Sequence, residues 1–222
     1  MSVGEGRPAQ APGDVLARSS ALVADGRFDE NLELLRRAAE DHRDHVEVVL
    51  RAAAAEQDAD HDRAAQLLER AVSLAPEDAA VLTCAGFGAL ALGDLDRALE
   101  WAERAGRLTV DDPDFPLAFD LGHLGGRIFV ARGRDDLAER LLEIAFEELP
   151  QALGYGLELA HLLVRDGRDE EALAVIEKAL AVRPDDQELT EERVLLRVNL
   201  YGPDELPPGW TIETPDDRAP RP

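Results

Sequence analysis

Apolar positions along the chain follow a helical spacing that returns five times. Each copy begins at a small residue, passes through a short polar stretch, and then carries two adjacent apolar residues. The copies begin at Gly26, Ala59, Gly93, Gly133 and Gly167, in steps of 33, 34, 40 and 34 residues. The adjacent apolar positions are Leu34/Leu35, Leu67/Leu68, Trp101/Ala102, Leu141/Leu142 and Val175/Ile176. This spacing predicts an amphipathic helix in each copy, with the apolar pairs on its buried stripe.

Small residues recur in phase with these pairs and predict two closely packed helices per copy. Four copies carry an alanine before the apolar pair, whereas the first copy has Asn31, which we interpret as the mark of a partly solvated terminal unit. These alanines are Ala64, Ala98, Ala138 and Ala172, and a later set is Ala38, Ala71, Ala105, Ala145 and Ala179. A preceding helix would contribute Ser19, Ala52, Gly86, Gly126 and Ala160. The small turn residue would end this first helix, and the Asp or Arg-Asp that follows would cap the second.

Together these features resemble the tetratricopeptide repeat (TPR) family. Its motif includes the turn glycine, two alanines and a closing proline, and prolines close three of the copies here, at Pro76, Pro150 and Pro184. The sequence departs from the motif where the family often has a large first-helix aromatic. The resemblance implies an all-α fold, a right-handed superhelical solenoid of five helix-turn-helix units. These units span 12–44, 45–78, 79–112, 119–152 and 153–186.

The segments outside the units have different compositions. We predict a flexible N-terminus over 1–11, a capping helix over 187–202 and a disordered, proline-rich acidic tail over 203–222. The capping helix would use the apolar residues Leu189, Val194, Leu195, Val198 and Leu200. The insertion at 113–118 predicts a helix cap at Asp114, and it is interpreted either as a tolerated insertion or as a bend that shapes the binding face.

Composition narrows the functional class. The 222 residues carry a formal net charge of −23, spread evenly along the chain, which argues against nucleic-acid binding. No apolar stretch is long enough to span a membrane, and the first residues lack the basic start and apolar core of a signal peptide, so we expect a protein of the bacterial cytoplasm. The preference for arginine over lysine and the abundant alanine indicate a GC-rich genome. The single cysteine, Cys84, is expected to be a small buried residue. No catalytic motif or metal-ligand spacing occurs, so we expect a non-catalytic protein without a cofactor or metal.

The resemblance also implies which side chains line a concave groove. They are Leu16, Val49, Ala53, Thr83, Phe87, Leu90, His123, Arg127, Leu157, His161 and Arg165, with Ser20, Val23, Glu56 and Val130 at the same spacing. The first three units would present an apolar surface, and the last two would each present a His/Arg pair. Such a groove suits a peptide with an apolar stretch and an acidic flank. The alternative is an ordinary solvated surface without a ligand.

We therefore predict a protein-interaction scaffold or adaptor. The alternative is a regulatory subunit of an enzyme or transcription factor, inhibited by its own tail, in which Trp210 and Ile212 resemble a short apolar anchor among acids. The same tail or the groove could join copies of the chain into a homo-oligomer. An enzyme or metal protein is a further class, in which His123 and His161 would share a metal with Asp120 or Glu158.

Overall fold

The computed structural model describes residues 10–109, 118–150 and 152–210. Within these ranges it contains eleven α-helices and one 3-10 turn, and no strand. The helices are α1 Pro12–Ala24, α2 Phe28–Asp41, α3 Val46–Glu56, α4 His61–Leu74, α5 Ala79–Ala91, α6 Leu95–Thr109, α7 Ala118–Ala131, α8 Asp135–Glu148, α9 Leu153–Arg165, α10 Asp169–Val182 and α11 Gln187–Tyr201. The chain divides into two compact units, 1–134 and 135–222. No described helix is both long enough and apolar enough to cross a membrane.

Unit 1 is built from consecutive helix hairpins, α1 through α7. Each helix packs on the next, and the odd-numbered helices α1, α3, α5 and α7 also contact one another in order. The small residues predicted between the paired helices are buried, and they permit this close approach. At Gly86 a Cβ atom would lie 2.6 Å from Leu124 Cδ2, so any larger residue there would require the Leu124 side chain of α7 to move.

Unit 2 contains α8 to α11, in which α9 packs on α8 and α10, and α11 packs on α10. Phe146 and Ile176 are fully buried in its interior, and Leu189 and Leu196 join them from α11. The apolar face of α11 thus lies against α10. Leu196 is buried there, whereas Leu195, which the sequence pattern placed on the apolar face, is 44% exposed.

The turns between paired helices follow the predicted chemistry at some copies and not at others. Gly26, Gly93, Gly133 and Gly167 all have positive φ, the left-handed conformation that glycine adopts without strain. The side chains of Asp60 and Asp94 cap α4 and α6 by accepting the backbone N–H of Arg63 and Arg97.

Arginine replaces the predicted aspartate cap at two helices. Arg27 and Arg168 occupy the N-cap positions of α2 and α10 and make no side-chain cap bond. Each guanidinium instead donates two hydrogen bonds to a first-turn glutamate, Glu30 or Glu171. The glutamates lie where a negative charge favours a helix N-terminus, so the pair stabilises the helix start by another route.

The start of the predicted disordered tail has a defined structure. Pro203–Glu205 forms a 3-10 turn against α11, and Arg197 Nε donates a 2.9 Å hydrogen bond to Glu205 Oε2. The prediction of disorder from residue 203 onward is therefore wrong for these three residues. Residues 1–9, Asp114 with the rest of 110–117, and Ile212 with the rest of 211–222 lie outside the described residues.

Candidate functional site: the face of the odd-numbered helices

The odd-numbered helices of unit 1 bring several of the predicted groove residues onto one connected face. Phe87 on α5 and His123 on α7 contact each other, with ring centroids 5.7 Å apart and planes tilted by 55°. Leu16 on α1 and Leu90 on α5 are half-buried, and Arg127 is exposed one turn after His123. An aromatic ring, aliphatic side chains and an exposed guanidinium therefore lie on α1, α5 and α7.

Three predicted groove residues of unit 1 are not accessible. Val49 and Ala53 are 0% exposed and Thr83 is 2% exposed, so they belong to the core between the hairpins. The Thr83 hydroxyl donates to the Ala79 carbonyl one turn earlier, which satisfies it without an outside partner. These three residues pack beneath the exposed side chains of the face, and the prediction that they line a groove is wrong.

Glu56, predicted at the same spacing, is a buried structural residue. Its side chain is 1% exposed and accepts two hydrogen bonds from Arg36 on α2, at 2.8 and 2.7 Å. Arg63 Nε on α4 lies 3.0 Å from Glu56 Oε1. A carboxylate this buried requires a charged partner. The cluster of Arg36, Glu56 and Arg63 therefore links the consecutive helices α2, α3 and α4.

In unit 2 the predicted cations are already paired with acids of the same unit. Arg165 Nη2 donates a 2.7 Å hydrogen bond to Asp135 Oδ1, and His161 Nε2 lies 3.5 Å from Glu192 Oε1. Leu157 is 7% exposed and is therefore a core residue. The predicted basic surface on α9 is thus largely neutralised within the protein, and these three residues are poorer candidates for gripping an acidic ligand than predicted.

Sequence reasoning missed one cation near the face in unit 1. Arg51 on α3 donates a 2.8 Å hydrogen bond to the Ser20 hydroxyl of α1, and its other nitrogen lies 3.4 Å from Glu47. The two helices are thereby joined across the face that was predicted to be mostly apolar. The sequence signal that could have identified Arg51 was its position one turn after Glu47 on the same helix.

Cys84 on α5 is exposed, which contradicts its expected burial. Its pKa is nevertheless raised above the ordinary thiol value, mainly because surrounding protein atoms disfavour the charged thiolate and secondarily because of the carboxylates of Asp120 and Asp78. The thiol is therefore largely protonated at neutral pH, which is unfavourable for a nucleophile.

The described residues contain no grouping of three or more His, Cys, Asp or Glu side chains arranged to hold a metal ion. The predicted tail anchor, Trp210, lies just after the 3-10 turn and is 42% exposed. Its partner in the predicted motif, Ile212, falls beyond the described residues.

Comparison with known proteins agrees with this architecture. Residues 157–190 match a family model described as a tetratricopeptide repeat. The structure is similar to that of TTC0263, a thermophilic TPR protein of Thermus thermophilus, with 25% identity, a TM-score of 0.70, and coverage of 85% of this chain and 100% of that one. It is also similar to PilW, a type IV pilus biogenesis factor, with 17% identity, a TM-score of 0.71, and coverage of 89% and 90%.

A TPR protein from Parabacteroides merdae is another similar structure, with 16% identity, a TM-score of 0.67, and coverage of 86% of this chain and 73% of that one. No curated protein sequence matches. Residues 157–190 are therefore a tetratricopeptide repeat, and the chain has the all-helical fold of TPR proteins, as its repeats predicted. The TPR fold is typical of protein-interaction scaffolds.

Proposed function

We propose that this protein is a non-catalytic scaffold that binds a segment of another protein on the face formed by α1, α3, α5 and α7. The observation that carries the proposal is the Phe87–His123 contact beside exposed Arg127. It places an aromatic ring and a cation on adjacent helices of a face supported by a buried core. Aromatic residues and arginine are the side chains that most often dominate the energetics of protein interfaces.

The ligand chemistry follows from the side chains on this face. Leu16, Phe87 and Leu90 would accept an apolar stretch of the partner. The exposed charge of Arg127 beside these residues would attract a carboxylate next to that stretch. The partner segment we propose is apolar with an acidic flank. His161 and Arg165 of unit 2 are left out of the proposed site, because both have acidic partners.

The test is co-purification from the native host with the full chain carrying Phe87→Glu and Arg127→Glu. The matched control is Leu108→Glu with Arg107→Glu on α6, where Leu108 is 46% exposed, because it makes the same change of charge and polarity on another helix. Circular dichroism would verify that both variants keep their helix content. The expected result is a partner that is recovered with the intact chain and the control but lost with the double variant. Recovery of the same partners with all three proteins would contradict the proposal.

A second candidate is a regulatory subunit whose tail competes with the partner. The observation that favours it is the fixed start of the tail, where Glu205 pairs with Arg197 and leaves Trp210 exposed on the same segment. Truncation after residue 202 is then expected to raise partner affinity, as is Trp210→Ala alone. An unchanged or lower affinity in both variants would contradict competition by the tail.

A further inference from the structure

An exposed tryptophan follows α11 on a short segment that two turns hold in place. The first is the 3-10 turn Pro203–Glu205, which packs on α11. Arg197 of that helix binds Glu205 Oε2 through two nitrogens, Nε at 2.9 Å and Nη2 at 2.8 Å. Trp210 comes five residues later and is 42% exposed. We name residues 203–210 the tryptophan knob.

The second turn sets the position of Trp210 itself. The Pro207 carbonyl accepts a 3.1 Å hydrogen bond from the Trp210 backbone N–H. Pro208 and Gly209 lie between them, and Gly209 has a φ of 89°. A proline followed by a left-handed glycine is the residue pair of a type II β-turn. The free protein therefore already holds the Trp210 backbone in one conformation, so little conformational entropy is lost when the indole binds a surface.

The exposed part of this indole is not covered by any of the described residues. The other tryptophan of the chain, Trp101, is 3% exposed and belongs to the core. Tryptophan side chains held at a surface are frequent anchors of protein interfaces, because they bury a large apolar area and lose little side-chain freedom. The tryptophan knob therefore has the properties of an anchor for a surface on another molecule.

The charges next to the tryptophan knob favour a partner surface that is apolar and carries a cation. Residues 203–217 contain five acidic side chains and no basic one. A second copy of the chain offers a surface of complementary character, the face on which Leu16, Phe87 and Leu90 lie beside the exposed guanidinium of Arg127. An aromatic anchor followed by acids also matches the chemistry proposed above for the partner segment.

We propose that the tryptophan knob of one copy docks on the face of α1, α5 and α7 of a second copy, with its indole against Phe87 and the acids that follow it beside Arg127. Docking rests on the proposed function, because it uses the same face and would compete with the outside partner. The knob and the face are different surfaces, so copies would join head to tail. A segment this short buries less than the roughly 1,200 Å² of a stable interface, so the association should be weak and reversible.

Sedimentation equilibrium of the full chain at increasing protein concentration tests the association. About 150 mM NaCl limits the repulsion between the acidic copies to a range of roughly 8 Å. The average mass should rise with concentration, and Trp210→Ala should weaken the association by at least about tenfold, the loss typical of an interface anchor. Phe28→Ala removes another exposed aromatic side chain and should associate like the parent. A parent that stays monomeric, or a Trp210→Ala variant that associates equally well, would overturn the proposal.

A mixing experiment identifies the surface that receives the tryptophan knob. Phe87→Glu with Arg127→Glu removes the face and keeps the knob, whereas Trp210→Ala does the reverse. Each variant alone should be monomeric, and their equimolar mixture should form a one-to-one dimer, because one intact knob then meets one intact face. Arg127→Glu alone, at an exposed position, should weaken the parent association and keeps the test valid if Phe87→Glu disturbs the fold. A mixture of folded variants that stays monomeric, or an association that the face substitutions leave unchanged, would overturn the proposal.

The role of the second turn is tested by Gly209→Ala, which keeps the indole but places a Cβ atom on a residue with positive φ. A side chain disfavours this conformation, so the association should weaken by about fivefold or more. Gly167→Ala introduces the same kind of strain in the turn between α9 and α10, where φ is 74°, and should leave the association unchanged. Equal association of Gly209→Ala and the parent would contradict a tryptophan held ready by its turn.

Failure of this docking can be told apart from failure of the proposed function. Copies that stay monomeric, while the host partner is still lost with Phe87→Glu and Arg127→Glu, would overturn the docking and leave the proposed function in place. Copies that associate through Trp210 and the face, while no host partner depends on the face, would support the docking and contradict the proposed function.

Discussion

At the scale of single residues, Asn31 is the clearest departure from the repeat pattern. It occupies the position of a buried alanine in the other four copies and is only 7% exposed, although its sequence context predicted partial solvation. Its Oδ1 has no hydrogen-bond partner among the described residues. Burial of a polar atom without a partner costs about 1 to 3 kcal/mol, so this position weakens the first hairpin.

Replacing Asn31 with alanine is therefore expected to stabilise the protein by about 1 kcal/mol or more. The matched control is Asn199→Ala on α11, an exposed position that reports the gain from helix propensity alone. The change in unfolding free energy of each variant is measured by urea titration monitored by circular dichroism. A gain at Asn31 no larger than the gain at Asn199 would show that the buried oxygen is satisfied by a group such as ordered water.

Glu56 illustrates the opposite case of a buried polar residue that is well paired. Neutralising it with Glu56→Gln removes the charged hydrogen bonds from Arg36 and the attraction to Arg63, and should cost about 2 kcal/mol of unfolding free energy. Glu47→Gln is the control, because Glu47 is exposed and its pair with Arg51 is long. Its expected cost is under about 0.5 kcal/mol. Equal losses in urea unfolding would contradict a special role for the Glu56 cluster.

At the scale of helices, much of the architecture could be predicted from the sequence, because each copy imposes the same physical constraints. A glycine with positive φ lies in four of the five predicted turns, and small residues lie where two helix backbones approach. The concave-face residues were harder to predict. Val49, Ala53 and Thr83 fall at the expected spacing but are small or β-branched, and the neighbouring helices cover them completely.

Side-chain partners were the other feature that spacing could not predict. Arg165 was predicted to face a ligand, yet Asp135, thirty residues away in sequence, reaches it. Likewise the adjacent leucines Leu195 and Leu196 have equal hydrophobicity, and the orientation of α11 on α10 decides that Leu196 is the buried one. Such choices depend on packing between elements, which a single-helix pattern does not contain.

The start of α10 offers a test of contacts between helices. Arg168 binds Glu171 in the first turn of α10 and also Glu139 of α8, at 2.6 Å, whereas among the described residues Arg27 pairs only with Glu30 in the first turn of α2. Arg168→Ala is therefore expected to lower the thermal unfolding temperature more than Arg27→Ala, because only the former disconnects two helices. Circular dichroism melting curves at pH 7 compare the two variants. An equal loss of unfolding temperature in both would contradict a link between two helices.

The Arg168–Glu171 pair also predicts how the penalty of Arg168→Ala varies with pH. Hydrogen bonding to Arg168 lowers the pKa of Glu171 below its ordinary value, so the folded protein binds the proton less readily than the unfolded chain. The stabilisation is present above the ordinary glutamate pKa and is lost as the pH falls through the lowered one. The penalty of Arg168→Ala should thus shrink in melting curves recorded from pH 7 down to pH 3. A penalty that is constant over this range would show that the arginine acts through packing alone.

At the scale of the whole molecule, the dominant physical feature is the charge of −23. Many of the ion pairs connect residues three or four positions apart on exposed helix surfaces, where each contributes at most about 1 kcal/mol. The excess acids are distributed over the whole chain, so each hairpin adds to the mutual repulsion. The folded state brings these charges closer together than the unfolded chain does, and the repulsion opposes folding.

Salt is therefore expected to stabilise this protein despite its many ion pairs. Raising NaCl from about 10 to 150 mM shortens the screening length from roughly 30 to 8 Å, which suppresses repulsion between distant acids but affects adjacent ion pairs much less. The unfolding temperature should rise over this range in thermal melts. Glu143→Gln with Glu148→Gln removes two exposed acids of α8, and this variant should melt higher than the parent at low salt and gain less from added NaCl. A falling unfolding temperature with salt would mean that the ion pairs outweigh the net repulsion.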